Sequence, residues 1–154
     1  MKRLILFTTC FVLLSFVKAQ NKKADSTAVA KTLTELLSIC KNVDFNDPKT
    51  TELGTFYKAA PYIIYHGTDE KRAWKTFANY SNADEKKAVD FTCLRINNSV
   101  NKDSAYTITK YISEKQTEGT WHVLMITYIK NGAEKKAAFA FLKIGSKYGL
   151  GDID

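Results

Sequence analysis

"WHVLMITYIKNGAEKKAAFAFLKI", Trp121 to Ile144, decides the fold. Two runs rich in β-branched and aromatic residues flank Asn131-Gly132. That dipeptide suits the positive-φ positions of a two-residue hairpin turn, so the stretch reads as two antiparallel strands. In the first run Trp121, Val123, Met125 and Ile129 share one face, and His122, Leu124, Ile126 and Tyr128 share the other. In "AAFAFLKI" both faces are also largely apolar. An antiparallel sheet covered on one side alternates apolar and polar residues. Cover is therefore expected on both faces here. Helices would supply one side. The other would be covered by a second subunit in a two-fold dimer, or by the curl of the sheet on itself.

Outward from the hairpin, "TEGT" is turn-rich, and the extended pattern divides into strands over 104–115, 120–130 and 134–145, with a short extended piece after "KYGLG". Upstream the periodicity is helical. Val29, Leu33, Leu36, Leu37 and Cys40 recur at intervals of three and four, which predicts a helix over 26–41 behind Asp25 or Ser26 as cap. Asp47 and Pro48 suit the start of another helix, with Leu53, Phe56, Tyr57 and Ala60 as its stripe and Pro61 as its stop. "YIIYH" (62–66) reads as a short strand. Gly67 breaks it, Thr68 caps the next helix with Asp69 and Glu70 in its first turn, and Ala73, Trp74 and Phe77 form that helix's buried face. Asn82 and Glu85 make a capping-box pair. They open a helix over 83–99 whose stripe is Val89, Cys93, Ile96 and Val100. Helices first and a meander after is an α+β layout.

The N-terminus has a targeting pattern. Lys2 and Arg3 precede an apolar run from Leu4 to Val17, and Ala19 is the small residue before Gln20. This predicts a signal peptide over 1–19, a flexible lead over 20–24 and a single α+β domain over 25–154. The apolar run is about 14 residues, against roughly 20 for a membrane span, so no span is expected after cleavage. Cys10 lies inside the run, which does not fit a lipoprotein. The destination is periplasmic or extracellular.

Charge sets further limits. The full chain carries +7; the signal holds three basic residues and no acid, which leaves 20 basic against 16 acidic residues, or +4. The basic pairs are scattered and mostly adjoin acids, so nucleic acid is not an expected partner. Export leaves Cys40 and Cys93. An oxidising compartment allows one disulfide between them, but both sit on apolar helical stripes, and buried free thiols are the favoured reading. "NYS" at Asn79 and "NNS" at Asn97 match the glycosylation pattern by chance composition.

Element order, the short "YIIYHG" strand and the terminal segment "AAFAFLKIGSKYGLGDID" together resemble the nuclear transport factor two-like superfamily, which includes ketosteroid isomerases and polyketide cyclases. The resemblance covers residues 25–154. It implies a cone-shaped, cystatin-like fold in which helices close one end of a cavity against a curled antiparallel sheet. Enzymes of that fold place a carboxylate base and a tyrosine or acid donor in the cavity. Here His66, Asp69, Asp90 and Tyr65 are the candidates, and none maps onto a catalytic position. Asp69 suits a helix start, and Asp90 lies off its helix's apolar stripe.

Other chemistry finds less support. Neither histidine has a partner at ligand spacing, so no metal site is expected. There is no nucleophile motif and no glycine-rich phosphate loop, and no cofactor is implied. The aromatic content suits a binding pocket, which is by default apolar with a few polar tips. Tyr65, His66, Trp74 and Trp121 are the residues expected to line it; the plainer role for each ring is core or interface. The reading that follows is an exported, non-catalytic module for a small apolar ligand or a protein, homodimeric through its sheet. The alternative is a small acid–base lyase or isomerase using a carboxylate or histidine in the cone.

Overall fold

A computed structural model of the chain describes residues 23–41, 55–65, 76–100 and 105–154. The predicted signal peptide, the Asp47–Pro48 helix start and the helix placed after Thr68 lie outside the described residues. The architecture is α+β. Helix α1 is described over 23–41. A 3-10 helix follows at Thr55–Tyr62, and helix α2 spans Ala83–Ser99. Four strands then form one antiparallel meander: β1 (Tyr106–Lys115), β2 (Thr120–Lys130), β3 (Ala133–Ile144) and β4 (Lys147–Ile153), in the order β1-β2-β3-β4.

The hairpin is formed as its residues require. Asn131 and Gly132 both take positive φ, 53° and 74°, and Lys130 pairs with Ala133 across them. Helix α2 also starts where its local chemistry dictates. The Asn82 side chain accepts from the amides of Asp84 and Glu85 at 3.0 and 3.2 Å. The buried Glu85 carboxylate reaches past the cap to the amide of Asn79, at 2.6 Å.

Other local readings are corrected. Lys23 and Ala24, assigned to the flexible lead, are already helical, and Thr27 bonds back to the Lys23 carbonyl. Pro61 does not stop the second helix; it sits inside the 3-10 turn, where φ near −65° is tolerated. "YIIYH" contributes no full strand. Ile63 makes a parallel bridge to Leu150, and Ile64 an antiparallel bridge to Phe77. Phe77 is thus in an extended bridge rather than on a helix.

The two helices cover one face of the sheet. Val29, Leu33, Leu36, Leu37 and Cys40 of α1, with Val89, Cys93 and Ile96 of α2 and Val100 after it, are 0–2 % exposed. They share one apolar cluster with Leu124 and Ile126 of β2, Phe139 and Phe141 of β3, and Leu150 and Ile153 of β4. Side chains fill the space between helices and sheet. Within one chain, the described residues of the opposite face are only partly covered. Trp121, Val123, Met125 and Thr127 are half-buried, and β1 is largely exposed. Among the described residues, Ile64 and Phe77 seal one end of that face: they lie over Gly149, where an added Cβ would come within 2.5 and 3.0 Å of them, next to the buried Leu142.

Cys40 and Cys93 are joined, with sulfurs 2.13 Å apart and Cα atoms 4.8 Å apart, against the expectation of free thiols. The two apolar stripes face each other, so the cysteines meet as core neighbours, a juxtaposition that periodicity within each helix does not reveal. The bond closes a loop of 53 residues in sequence separation. The mature protein, unfolded without reductant, is therefore expected to titrate no thiol. Cys93→Ser should lower the unfolding free energy in urea titrations by roughly 2–5 kcal/mol.

Candidate functional site

The sheet register builds a polar cluster at one end of the covered face. His122 of β2 stands on the same side as Leu124 and Ile126 and pairs with Ser113 and Phe141. Tyr111 of β1 lies two pairs further along on the same face, opposite Leu124. Its hydroxyl is 2.7 Å from His122 Nδ1. The turn after Ile144 sets Lys143 opposite Tyr148. The Tyr148 ring meets the imidazole edge-on, centroids 5.1 Å apart. Its hydroxyl donates to Asp25 Oδ1 at 2.5 Å, and Lys143 Nζ donates to the same oxygen at 2.7 Å. Asp25, at the described start of α1, was expected to serve as a helix cap; it instead ties that helix to the β3–β4 hairpin.

The cluster's electrostatics follow from burial and pairing. Hydrogen bonds from Lys143 and then Tyr148 hold the Asp25 carboxyl below its usual range. Burial, then the hydrogen bond to Asp25, pushes the Tyr148 phenol well above its ordinary value. Burial also raises Tyr111. His122 is fully buried, and burial lowers its pKa. Its Nε2 has no hydrogen-bond partner among the described residues. An imidazolium needs acceptors for both N–H groups, and here only Nδ1 has one. His122 is therefore neutral in the folded protein.

Tyr148 also walls a surface cleft of about 320 Å3. Ala28, Lys31, Thr32 and Glu35 of α1 form one side, Pro61 and Tyr62 another, and Ser146, Lys147 and Tyr148 of the hairpin the third. Lys31 and Glu35 form an i,i+4 pair at 3.8 Å. Burial, then the Glu35 charge, raises the Tyr62 phenol. The cleft thus presents both charge signs beside two tyrosines. A second hollow, about 610 Å3, lies on the opposite sheet face between Lys110, Met125, Thr127 and Lys136 and has no aromatic wall.

Of the four residues expected to line a pocket, Tyr65 and Trp121 are described. Tyr65 packs, partly buried, against the main core. Trp121 is on the other face of the sheet, its Nε1 donating to Glu118 at 2.7 Å. Its ring lies so close over Gly151 that an added Cβ there would be 2.6 Å away. His66, Trp74 and Asp69 lie outside the described residues. Asp90, read as solvent-facing, is half-buried; it accepts from Tyr80 and Lys86, each at 2.7 Å. Among the described residues no group of three His, Cys, Asp or Glu side chains converges as a metal site, and no helix is long and apolar enough to cross a membrane.

Asp25, Lys143, Tyr148 and Tyr111 escaped sequence reading because only the strand register and the docking of α1 unite them. One signal was present. His122 alternates onto an otherwise apolar strand face, which marks it for burial.

The sign of the resulting pH dependence is fixed. A histidine whose folded pKa is lowered stabilises the fold above its unfolded value, near 6.5, and that contribution is lost as pH falls toward the folded value. Chemical denaturation between about pH 7 and 5 should show falling stability. His122→Gln, which keeps a partner for Tyr111, should flatten the profile in that window. Asp25 acts lower: its contribution is lost as pH falls through the ordinary aspartate value, 3.8, toward the lower folded one. Comparison with protein-family models, with curated proteins and with solved structures finds no match for this chain.

Proposed function

We propose that the protein is an exported, non-catalytic binding domain of the nuclear transport factor two-like kind, paired with a second copy through its sheet, and that its ligand lies in the cleft between Glu35, Tyr62 and Tyr148. The observation that carries this reading is where space remains. Phe139, Phe141, Leu33, Leu36, Leu37, Leu124 and Ile126 occupy the volume between helices and sheet that an enzyme of this shape would keep for substrate. The cleft at the helix–hairpin junction offers instead an aromatic wall with polar tips, the composition of a small-molecule or peptide site.

The acid–base alternative has one observation in its favour: a carboxylate bonded to a tyrosine that reaches the cleft. Its energetics oppose it. An efficient acid or base has a pKa near the working pH. Asp25 is lowered and Tyr148 raised, so each moves away from neutrality. His122 is sealed in the core, and burial lowers its pKa.

A thermal-shift screen on residues 20–154, using small apolar molecules with polar tips and short peptides, should give hits. Those hits should weaken at least tenfold in Glu35→Ala and Tyr62→Ala, and persist in Tyr65→Ala. Hits indifferent to both cleft substitutions would remove the cleft as the site, and turnover of any hit would favour the enzyme. Export is checked separately: intact mass of the protein recovered outside the cytoplasm should match a chain beginning at Gln20.

A further inference from the structure

The outer edge of β1 is the feature least used by the fold. β1 ends the sheet, and most of its residues are exposed. A long exposed edge presents unpaired backbone groups and is a template for another strand. Its hydrogen-bonding phase can be read from the β1–β2 turn. Gln116 and Gly119 exchange both backbone hydrogen bonds, at 2.8 and 3.3 Å. Antiparallel pairs alternate between bonded and non-bonded. Glu114–Trp121 and Ile112–Val123 are therefore bonded pairs, whereas Lys115, Ser113 and Tyr111 turn their N–H and C=O groups outward.

That phase permits only some registers for a second β1 laid antiparallel against the edge, because outward groups must meet outward groups. We infer that the edge of β1 pairs with β1 of a second copy about a two-fold axis at Ile112, making one continuous sheet across the dimer. This rests on the reading that the chain pairs through its sheet, and names the surface. In this register Tyr111 bonds to Ser113 of the second copy, and Ser113 to its Tyr111. Ile112 faces its own counterpart in a non-bonded pair, where side chains are closest.

Side-chain complementarity selects the same register. Lys110, Ile112 and Glu114 lie on the face away from the helices, paired with Met125, Val123 and Trp121. The axis at Ile112 sets each Lys110 opposite Glu114 of the second copy, twice over by symmetry. Directly opposed unlike charges stabilise strand pairs and like charges oppose them. Sliding by two residues either way sets Ile112 against Lys110 or against Glu114 and leaves a charge unmatched. The β1 bulge between Ile108 and Lys110 falls just outside the paired segment. The regular stretch from Lys110 to Glu114, symmetric about Ile112, is what the pairing uses.

The test uses protein purified after expression of the full sequence, in sedimentation velocity over a concentration series. The parent is expected to dimerise. K110E and E114K should each lose the dimer at concentrations where the parent is dimeric. An equimolar mixture of the two should regain it, since both cross-pairs are then restored. K136E, on the same face but away from the edge, should behave as the parent. Independently, Ile112→Cys should cross-link to its own counterpart on mild oxidation, and Ser113→Cys should not. A parent that is monomeric throughout overturns both this inference and the paired reading. A parent dimer that K110E and E114K leave intact, with no cross-link at position 112, overturns the edge register alone and places the dimer on another surface. Thermal melts matching the parent establish that each exposed variant is folded.

Discussion

Everything in this molecule depends on the covering of one sheet face by two helices. Leu124, Ile126, Phe139 and Phe141 form adjacent apolar rows on β2 and β3, and they are buried by the stripes of α1 and α2. Neither helix could hold such a face alone. The Cys40–Cys93 bond lies where the two stripes meet, so the cross-link fixes the helices to each other and the sheet fixes the pair. Removing apolar surface from water supplies the driving force. The disulfide narrows the unfolded ensemble that opposes it.

The polar cluster is a by-product of that arrangement with a role of its own. At the end of the covered face the apolar rows give way to His122, and Tyr111 and Tyr148 enclose it. Asp25 then binds Tyr148 and Lys143, so the start of α1 is held by charge and hydrogen bonds where hydrophobic contact runs out. Burial keeps the imidazole neutral, and pairing keeps the carboxylate ionised. Both shifts run downward from the ordinary values.

The sequence was legible wherever the information is local. Helix α2 begins at Asn82 because its side chain answers two amides within three residues, and the hairpin turns at Asn131-Gly132 because both positions need positive φ. The four-strand meander followed from periodicity two. Legibility failed where a partner is distant. "YIIYH" has strand composition, but a strand needs a neighbour, and only Ile63 and Ile64 find one. Cys40 and Cys93 each looked like a core thiol, because a stripe says which way a residue faces and not whom it meets. Apolar composition on both sheet faces suggested full cover. Within one chain, one end of the second face is sealed by Ile64 and Phe77, small alanines at 138 and 140 occupy its middle, and most of β1 is exposed. Of the pocket residues chosen from aromatic content, Tyr65 and Trp121 fell on different faces, since composition does not encode side.

The tie between Asp25 and the β3–β4 hairpin also orders events during synthesis. Its partners lie 118 and 123 residues further along the chain. Arg95 likewise bonds the carbonyl of Ile153, and Asp154 pairs with Ala138 in both directions. A chain emerging from its N-terminus can form α1 and α2 early and bring their cysteines together. It cannot anchor α1 or complete the sheet until the β3–β4 hairpin has formed. The sheet is therefore completed only when β4 is in place, and a chain cut before β4 would be left as a helix pair with an unfinished floor.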